Sequence, residues 1–295
     1  MIEPDLRVRA VVPASLKVTY EALTDPVALR VWLAEHAEVD LPGKYEFWGR
    51  FTPDGAEPHQ RVLHVDDRSI RFAWTVEGVE TTSQFELDED EDGTLVTLSQ
   101  TDLPSFEDVL ADKAGARGTL STFWSLAIVN LADYLAGREL TPKCDFTSNE
   151  LRTAVVIDAT PDEVFDSMTR PEHFHRWFGA KVDIEPWVGG RFAMGGFEMD
   201  PGGTKFVEFE PGRKATMRYA DGVTDSWELE GSEGKTRLTL VTSGFDPDNP
   251  PYAGFIGWLS GLAELRRYHE LPQWRSIWRQ IEVAGIPEGM FTVDQ

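Results

Sequence analysis

The chain repeats itself, and this internal repeat constrains the fold more than any other feature of the sequence. Leu6-Arg7 recurs as Leu151-Arg152, and Trp32-Leu33 recurs as Trp177-Phe178, each 145 positions later. Trp124 recurs as Trp258 after 134 positions, so the spacing changes but the order of matched residues does not. Changes in spacing of this kind belong in surface loops. The sequence therefore predicts two copies of one domain in tandem.

The segment between the two matched regions is polar and contains a proline, which is typical of a domain boundary. We expect a first domain at 1–140, a linker at 141–150 and a second domain at 151–270, with 271–295 outside the repeat. A chain of 295 residues accommodates two domains of ordinary size, because single domains commonly have about 100–150 residues.

Charge and composition argue against several classes of partner. The formal net charge of −23 repels phosphate backbones and anionic lipids, so we expect no nucleic-acid partner. We also expect no membrane insertion, because the longest uncharged stretch, between Arg117 and Asp133, is shorter than a spanning helix requires. The single cysteine, Cys144, cannot form a disulfide within the chain, and the first residues lack the apolar core of a signal peptide. The sequence predicts a cytoplasmic protein.

The second copy shows the order of its elements most clearly. Its β-branched start predicts a strand over 151–158, and Thr160-Pro161-Asp162-Glu163 then predicts the capped start of a helix. A second short helix begins at Pro171, and alternating apolar and polar residues after it predict about five or six antiparallel strands. A long helix follows, and its apolar stripe must bury itself against the inner face of the sheet. The predicted fold class is α+β.

Residues 271–295 predict an extra amphipathic helix and a tail. Trp274, Ile277, Trp278 and Ile281 recur at helical spacing after Pro272. Because such a helix has an apolar face to bury, we expect it to pack on one of the domains or between them.

The ordered motifs of the second copy are similar to those of a known family. They are Thr160-Pro161-Asp162-Glu163-Val164-Phe165, Thr169-Arg170-Pro171, His175-Arg176-Trp177-Phe178 and Gly189-Gly190-Arg191-Phe192. In this order they resemble the START-related helix-grip (SRPBCC) superfamily and, within it, the family related to the activator of heat-shock-protein-90 ATPase. The resemblance implies two tandem helix-grip domains, each a curved antiparallel sheet wrapped around a long C-terminal helix with an apolar cavity between them. Members of the superfamily bind lipids, hormones or polyketides, and some act as cyclases or co-chaperones.

Large aromatic and sulfur-containing side chains are the candidates for the cavity lining, because so many of them facing one helix are hard to close-pack. Trp32 and Trp177 are expected to be pure core residues, since both copies keep them. The pair Gly189-Gly190 predicts a bent sheet and hence the more open cavity in the second copy. The candidate ligand-binding residues are Phe192, Met194, Met217, Tyr219, Trp227, Trp258 and Leu262 in the second copy, and Phe47, Phe72, Trp74, Phe85 and Trp124 in the first.

Three other motifs suggest chemistry. His173 and His175 diverge on a predicted helix, so no metal site is expected there. The acidic run at 88–93 opens like a calcium loop, but predicted strands flank it, and we expect a solvated hairpin tip. His64 and Glu208 lie on equivalent strands and are candidates for a general acid or base if the strand register points them inward.

The sequence thus predicts non-catalytic binding of a small hydrophobic or aromatic ligand, with no cofactor and no metal. Two alternatives remain open. A polyketide cyclase or aromatase-like enzyme requires polar groups that converge inside an apolar pocket. A chaperone-regulating accessory, with a protein partner such as a chaperone, requires an exposed apolar patch.

Overall fold

The computed structural model describes residues 5–104, 116–200 and 203–284. The first copy begins with β1 (Leu6–Val12), α1 (Leu16–Thr24) and α2 (Pro26–Trp32), and it ends with the long helix α3 (Ala116–Leu135). Six strands lie between them: β2 (His36–Asp40), β3 (Lys44–Trp48), β4 (Gln60–Val65), β5 (Ser69–Val76), β6 (Val79–Asp90) and β7 (Gly93–Thr101).

The second copy repeats this order. It begins with β8 (Leu151–Ile157), α4 (Pro161–Thr169) and α5 (Pro171–Phe178), and it ends with the long helix α6 (Tyr252–Glu270). The strands between them are β9 (Val182–Ile184), β10 (Phe192–Met194), β11 (Lys205–Glu210), β12 (Lys214–Arg218), β13 (Thr224–Ser232) and β14 (Lys235–Ser243).

The two main sheets have the same topology. The order β1-β7-β6-β5-β4 in the first copy corresponds strand for strand to β8-β14-β13-β12-β11 in the second, and neighbouring strands are antiparallel. Each copy also has a separate two-stranded sheet, formed by β2 and β3 in the first copy and by β9 and β10 in the second. The prediction of two tandem helix-grip domains is confirmed.

Equivalent hydrogen bonds show how the repeated residues fix the repeated fold. The indole of Trp32 donates to the Ala22 carbonyl at 3.0 Å, and the indole of Trp177 donates to the Ser167 carbonyl at 2.9 Å. Both tryptophans are 1% exposed, as expected of core residues. The predicted capping box at Thr160 is also present, with Glu163 as its second member.

The predicted C-terminal helix is wrong. The segment forms β15 (Trp278–Val283), which pairs antiparallel with the free edge of β1 and makes the first-copy sheet six-stranded. The register shifts so that Arg9 pairs with Gln280 while Ala10 pairs with Trp278, leaving Arg279 as a bulge residue. A bulge adds one residue to the period of two, and this brings Trp278 and Ile281 to one face at a spacing that imitates a helix.

The two copies meet through their long helices, which run side by side in parallel. A Cβ on Gly118 would lie 3.5 Å from Ala253 Cβ, and a Cβ on Gly257 would lie 3.6 Å from Thr122 Cγ2. These are ordinary van der Waals separations, so small residues form the contact between the first turns of the two helices. Further along, Arg267 Nη1 lies 2.6 Å from the carboxylate of Asp133. Among the described residues, none of the helices combines the length and the apolar character that crossing a membrane requires.

Candidate functional site

An open cavity of about 400 Å³ lies beside α6 of the second copy, and Thr122 of α3 in the first copy is also among its lining residues. We call it the second-copy cavity. Gly254 and Trp258 of α6 form one wall, and Phe192 and Met194 of β10 form another, with Tyr219 after β12 closing the side. Four of the predicted ligand-binding residues therefore meet at one cavity: Phe192, Met194, Tyr219 and Trp258.

A buried polar cluster centred on Asp225 stands behind this wall. Its carboxylate accepts a hydrogen bond from the Tyr219 hydroxyl at 2.6 Å and one from the Trp258 indole at 2.7 Å, and the Thr242 hydroxyl donates to its other oxygen. Asp225 is 4% exposed. Burial raises the pKa of Asp225, and the three donors oppose that shift because they stabilise the carboxylate.

The cluster holds two cavity-lining side chains in place. Tyr219 and Trp258 each present an aromatic face to the cavity while their polar atoms are engaged by Asp225. Burial and the Asp225 carboxylate raise the pKa of Tyr219 well above its usual value, so its hydroxyl keeps its proton and remains a donor. This side of the cavity is apolar because the polar atoms of Tyr219 and Trp258 bond to Asp225.

Sequence reasoning missed Asp225, although a signal was present. Asp225, Trp227 and Leu229 alternate along β13 and are all buried, so they share the inner face of the sheet. An aspartate that continues an inward-facing apolar series is a candidate for a buried, hydrogen-bonded group. Extending the alternation by one step would have found it.

The first copy closes the equivalent space with aromatic rings. The Trp124 ring lies 5.5 Å from Trp74 and 5.4 Å from Phe85, and it also contacts Phe47 and Phe72 at 6.2 and 6.4 Å. All five side chains are at most 1% exposed. Edge-to-face contacts of this kind fill a core. These predicted ligand-binding residues therefore form close-packed core around α3.

The remaining predicted residues of the second copy are also core residues. Met217, Trp227 and Leu262 are at most 1% exposed and do not line the second-copy cavity. Trp227 packs its ring 5.0 Å from Trp258 and so supports the wall from behind. The glycine pair Gly189-Gly190 lies in the turn between β9 and β10, where Gly189 has a φ of +86°, and it does not bend a strand as predicted.

Neither candidate acid or base points into a cavity. The His64 side chain is 53% exposed and pairs with Asp66. The Glu208 carboxylate is 51% exposed and accepts hydrogen bonds from Lys214 and Thr216, which lower its pKa. On both strands the register shifts at a bulge, between Val62 and His64 and between Phe206 and Glu208. The bulge turns these side chains outward.

The other motifs have structural roles. His175 Nε2 accepts the Val182 N–H at 2.9 Å, which ties α5 to β9. The acidic run at 88–93 forms the tip of the β6-β7 hairpin. Within the described ranges, no group of three or more His, Cys, Asp or Glu side chains is placed to hold a metal ion. Burial raises the pKa of the Cys144 thiol to about 12, so this cysteine is an inert thiol.

The chain thus has two helix-grip domains in tandem, and the second has a cavity beside its long helix. This fold places the chain in the class of START-related proteins. The model of the family described as "Activator of Hsp90 ATPase homolog 1-like protein" matches residues 13–136 and 158–270. The chain belongs to this family. No curated protein matches the chain closely enough to count as a relative.

Several solved structures are similar to the chain. DynU16, from the dynemicin biosynthetic locus, is 17% identical with a TM-score of 0.38, and the match covers 90% of this chain and 100% of DynU16. The Aha1 dimer from Colwellia psychrerythraea is 17% identical with a TM-score of 0.36, covering 42% of this chain and 98% of that one. CalU16 from Micromonospora echinospora is 21% identical with a TM-score of 0.35, covering 45% and 74% respectively.

Proposed function

We propose that the protein binds a small apolar or aromatic molecule in the second-copy cavity and does not transform it. The observation that carries this proposal is the wall itself, in which Phe192, Met194, Tyr219 and Trp258 present apolar surface to about 400 Å³ of space. Ligand pockets in proteins commonly have about 300–1,000 Å³ and are lined mainly by apolar and aromatic side chains.

The rim of the cavity supports entry from solvent. Met199 lines the cavity and is 46% exposed, and Gly254 is exposed on the first turn of α6. Methionine adapts its shape to varied ligands. The polar atoms of Tyr219 and Trp258 are engaged by Asp225, so a ligand meets the aromatic faces of these two side chains. Asp200 and Thr204 place polar groups elsewhere in the lining.

A neutral environment-sensitive dye such as Nile red tests this proposal. We expect saturable binding to the full chain and a loss of at least about tenfold in affinity for Gly254→Leu. A Cβ at Gly254 has no atom within 4 Å, so a leucine there extends into the open space of the cavity. The matched control is Gly254→Ala, which adds one methyl group and should bind the dye as wild type does.

Two results would count against the proposal. One is dye binding that does not saturate, and the other is equal affinity for wild type and the leucine variant. Native mass spectrometry of the purified chain adds an independent measurement, because a bound apolar molecule appears there as a discrete added mass.

A surface patch favours a second candidate function, that of a chaperone-regulating accessory. Trp187 and Val188, in the turn between β9 and β10, are 55% and 63% exposed. Exposed apolar residues that lie together often mark a protein-binding surface. The test is the ATPase rate of an Hsp90-type chaperone with and without the chain. A stimulation that Trp187→Ala removes would support this function, and no stimulation would exclude it.

A further inference from the structure

A second cavity, of about 340 Å³, lies between the two copies. We call it the interhelix cavity. Its long walls are α3 and α6, and small residues along them, among them Gly118, Ser125 and Ser260, leave the space open. Strand β15 closes the first-copy side with Trp278 and Ile281, the side chains that the bulge brings to one face.

The hydroxyl groups on the α3 wall are already used. Ser121 donates to the Arg117 carbonyl at 2.8 Å, and Ser125 donates to the Ser121 carbonyl at 3.0 Å. Thr122 donates to the Gly118 carbonyl at 3.1 Å. Each hydroxyl proton is used within the helix, so these three side chains offer a ligand carbon surface and acceptor oxygens but no free donor.

Arg117 lines one end of the cavity, and hydrogen bonds to three backbone carbonyls hold its guanidinium in place. Its terminal nitrogens donate to the carbonyls of Pro104, Asp5 and Ala284, which joins α3 to the chain beside β1, β7 and β15. Its Nε has no hydrogen-bond partner. The three carbonyl bonds fix the guanidinium against the protein and leave its stem to line the cavity.

Glu264 is a second polar group of this cavity, beside Arg117 Nε, that has atoms without a hydrogen-bond partner. It lines the cavity from α6, is 3% exposed, and neither of its carboxylate oxygens accepts a hydrogen bond. Arg267 Nε lies 3.6 Å from Oε1, and both Arg267 and the neighbouring Trp274 indole act to lower the pKa of this carboxyl against the larger effect of burial. A buried carboxylate without donors is costly.

The charges around Glu264 are balanced, which limits the chemistry of a ligand. Three acidic side chains, of Asp133, Glu264 and Glu270, meet three arginines, and the arginines are Arg138, Arg266 and Arg267. An added ligand charge would disturb this balance in a buried site. A neutral donor would satisfy Glu264 without doing so.

We infer that the interhelix cavity is a second ligand site, for a neutral and largely apolar molecule that carries a hydroxyl group, and that this hydroxyl donates to Glu264. The volume fits a ligand of a few fused rings or a comparable chain, at the lower end of known ligand pockets. Burial raises the pKa of Glu264 to about 7, which is the cost that a donor from a ligand would offset.

The test compares two probes of nearly the same shape, 2-naphthol and naphthalene, by ligand-observed NMR titration. It uses the full chain with Gly254→Leu as the background, so that the second-copy cavity is blocked. At about pH 8 Glu264, with its pKa of about 7, is mostly ionised, and there we expect 2-naphthol to bind at least about tenfold more tightly than naphthalene. This is the preference expected from one hydrogen bond to a charged acceptor.

Three further variants in that background assign the preference. Glu264→Leu should retain naphthalene binding and lose the preference for 2-naphthol. Ser125→Leu should weaken both probes, because it fills the interhelix cavity and its serine hydroxyl bonds only within the helix. Glu264→Gln keeps the shape of the side chain and a weaker acceptor, so the preference should fall to about threefold, and it serves if the leucine variant does not fold.

Equal affinity for the two probes overturns the inference. A preference for 2-naphthol that is as large in both Glu264 variants as in the parent chain overturns it too. If 2-naphthol is preferred only when Gly254 is intact, the hydroxyl site belongs to the second-copy cavity and the inference is also wrong. The two cavities share the lining residues Thr122, Phe178, Met194 and Gly257, whereas Glu264 lines the interhelix cavity alone. A preference that depends on Glu264 therefore tests the interhelix site, and it is expected even if dye binding to the second-copy cavity fails.

Discussion

Trp258 connects the cavity wall, the second core and the buried Asp225 cluster, so its replacement gives the sharpest test of the packing described here. The indole is 7% exposed, packs its ring 5.0 Å from Trp227, and donates to Asp225 at 2.7 Å. Loss of a large core aromatic costs about 3–5 kcal/mol. Loss of a donor to a buried carboxylate adds to that, so Trp258→Ala should lower the free energy of unfolding by about 5 kcal/mol.

The milder change Trp258→Phe keeps an aromatic ring and removes the indole hydrogen bond to Asp225. The equivalent substitution in the first copy, Trp124→Phe, is the matched control. In the first copy the equivalent Trp124 donates to the neutral amide oxygen of Gln100 at 3.1 Å. Both Trp→Phe substitutions remove a similar volume. A bond to a buried carboxylate is worth more than a bond to an amide, so Trp258→Phe should cost about 1 kcal/mol more than Trp124→Phe.

Chemical denaturation followed by far-UV circular dichroism measures both differences. If Trp258→Ala costs well under 1 kcal/mol, the side chain is not part of the closed core. If Trp124→Phe costs as much as Trp258→Phe or more, Asp225 does not depend on the indole in the way the geometry indicates.

Three more changes test the helix interface and the second core. Gly261→Ala should destabilise the chain by about 1–3 kcal/mol, because a Cβ there would lie 2.8 Å from the Phe178 ring; a neutral result in thermal unfolding would contradict this packing. Asp133→Ala should cost about 3–5 kcal/mol, because it leaves Arg267 buried without the carboxylate 2.6 Å away; denaturation at two salt concentrations checks that the loss persists when surface charges are screened. The pKa of Glu264 is raised from 4.5 to about 7, so the native state binds this proton more tightly than the unfolded state does. The protonated carboxyl therefore contributes its full stability below about pH 4.5, and this contribution is lost as the pH rises to about 7. Glu264→Gln should therefore become more stable relative to wild type across that range, by up to about 3 kcal/mol, and a pH-independent difference would refute the assignment.

Much of the fold was predictable because it depends on local patterns that occur twice. The paired Trp32 and Trp177 and the apolar stripes that contain Trp124 and Trp258 are local patterns, and their occurrence in both copies excludes coincidence. The capping box at Thr160 belongs to the second copy, because the first-copy helix follows Ser15 without a side-chain cap. The C-terminal segment failed for the opposite reason. It occurs once, and the bulge at Arg279 gave a strand the spacing of a helix.

The residues that line the second-copy cavity were predicted as part of a larger set but not individually. Large aromatic residues on the helix and the inner sheet face do form the two cores, and four of those named line the second-copy cavity. Which aromatic faces an opening depends on how neighbouring rings interlock. Phe47 and Trp74 close the space around Trp124, whereas Phe192 and Trp258 leave space beside α6.

The sequence by itself determined the tandem repeat, the α+β order of elements and the apolar faces that form the cores, because each is encoded by residues a few positions apart. Only the tertiary structure decided where space and unsatisfied charge remain. Glu264 lies beside Arg267 on one helix, but the cavity it faces is built from α3, more than 130 residues away, and from β15. Those elements meet only in the folded chain, where Gly257 of α6 lies against Thr122 of α3. No local pattern encodes a contact between surfaces that meet only after both domains have folded.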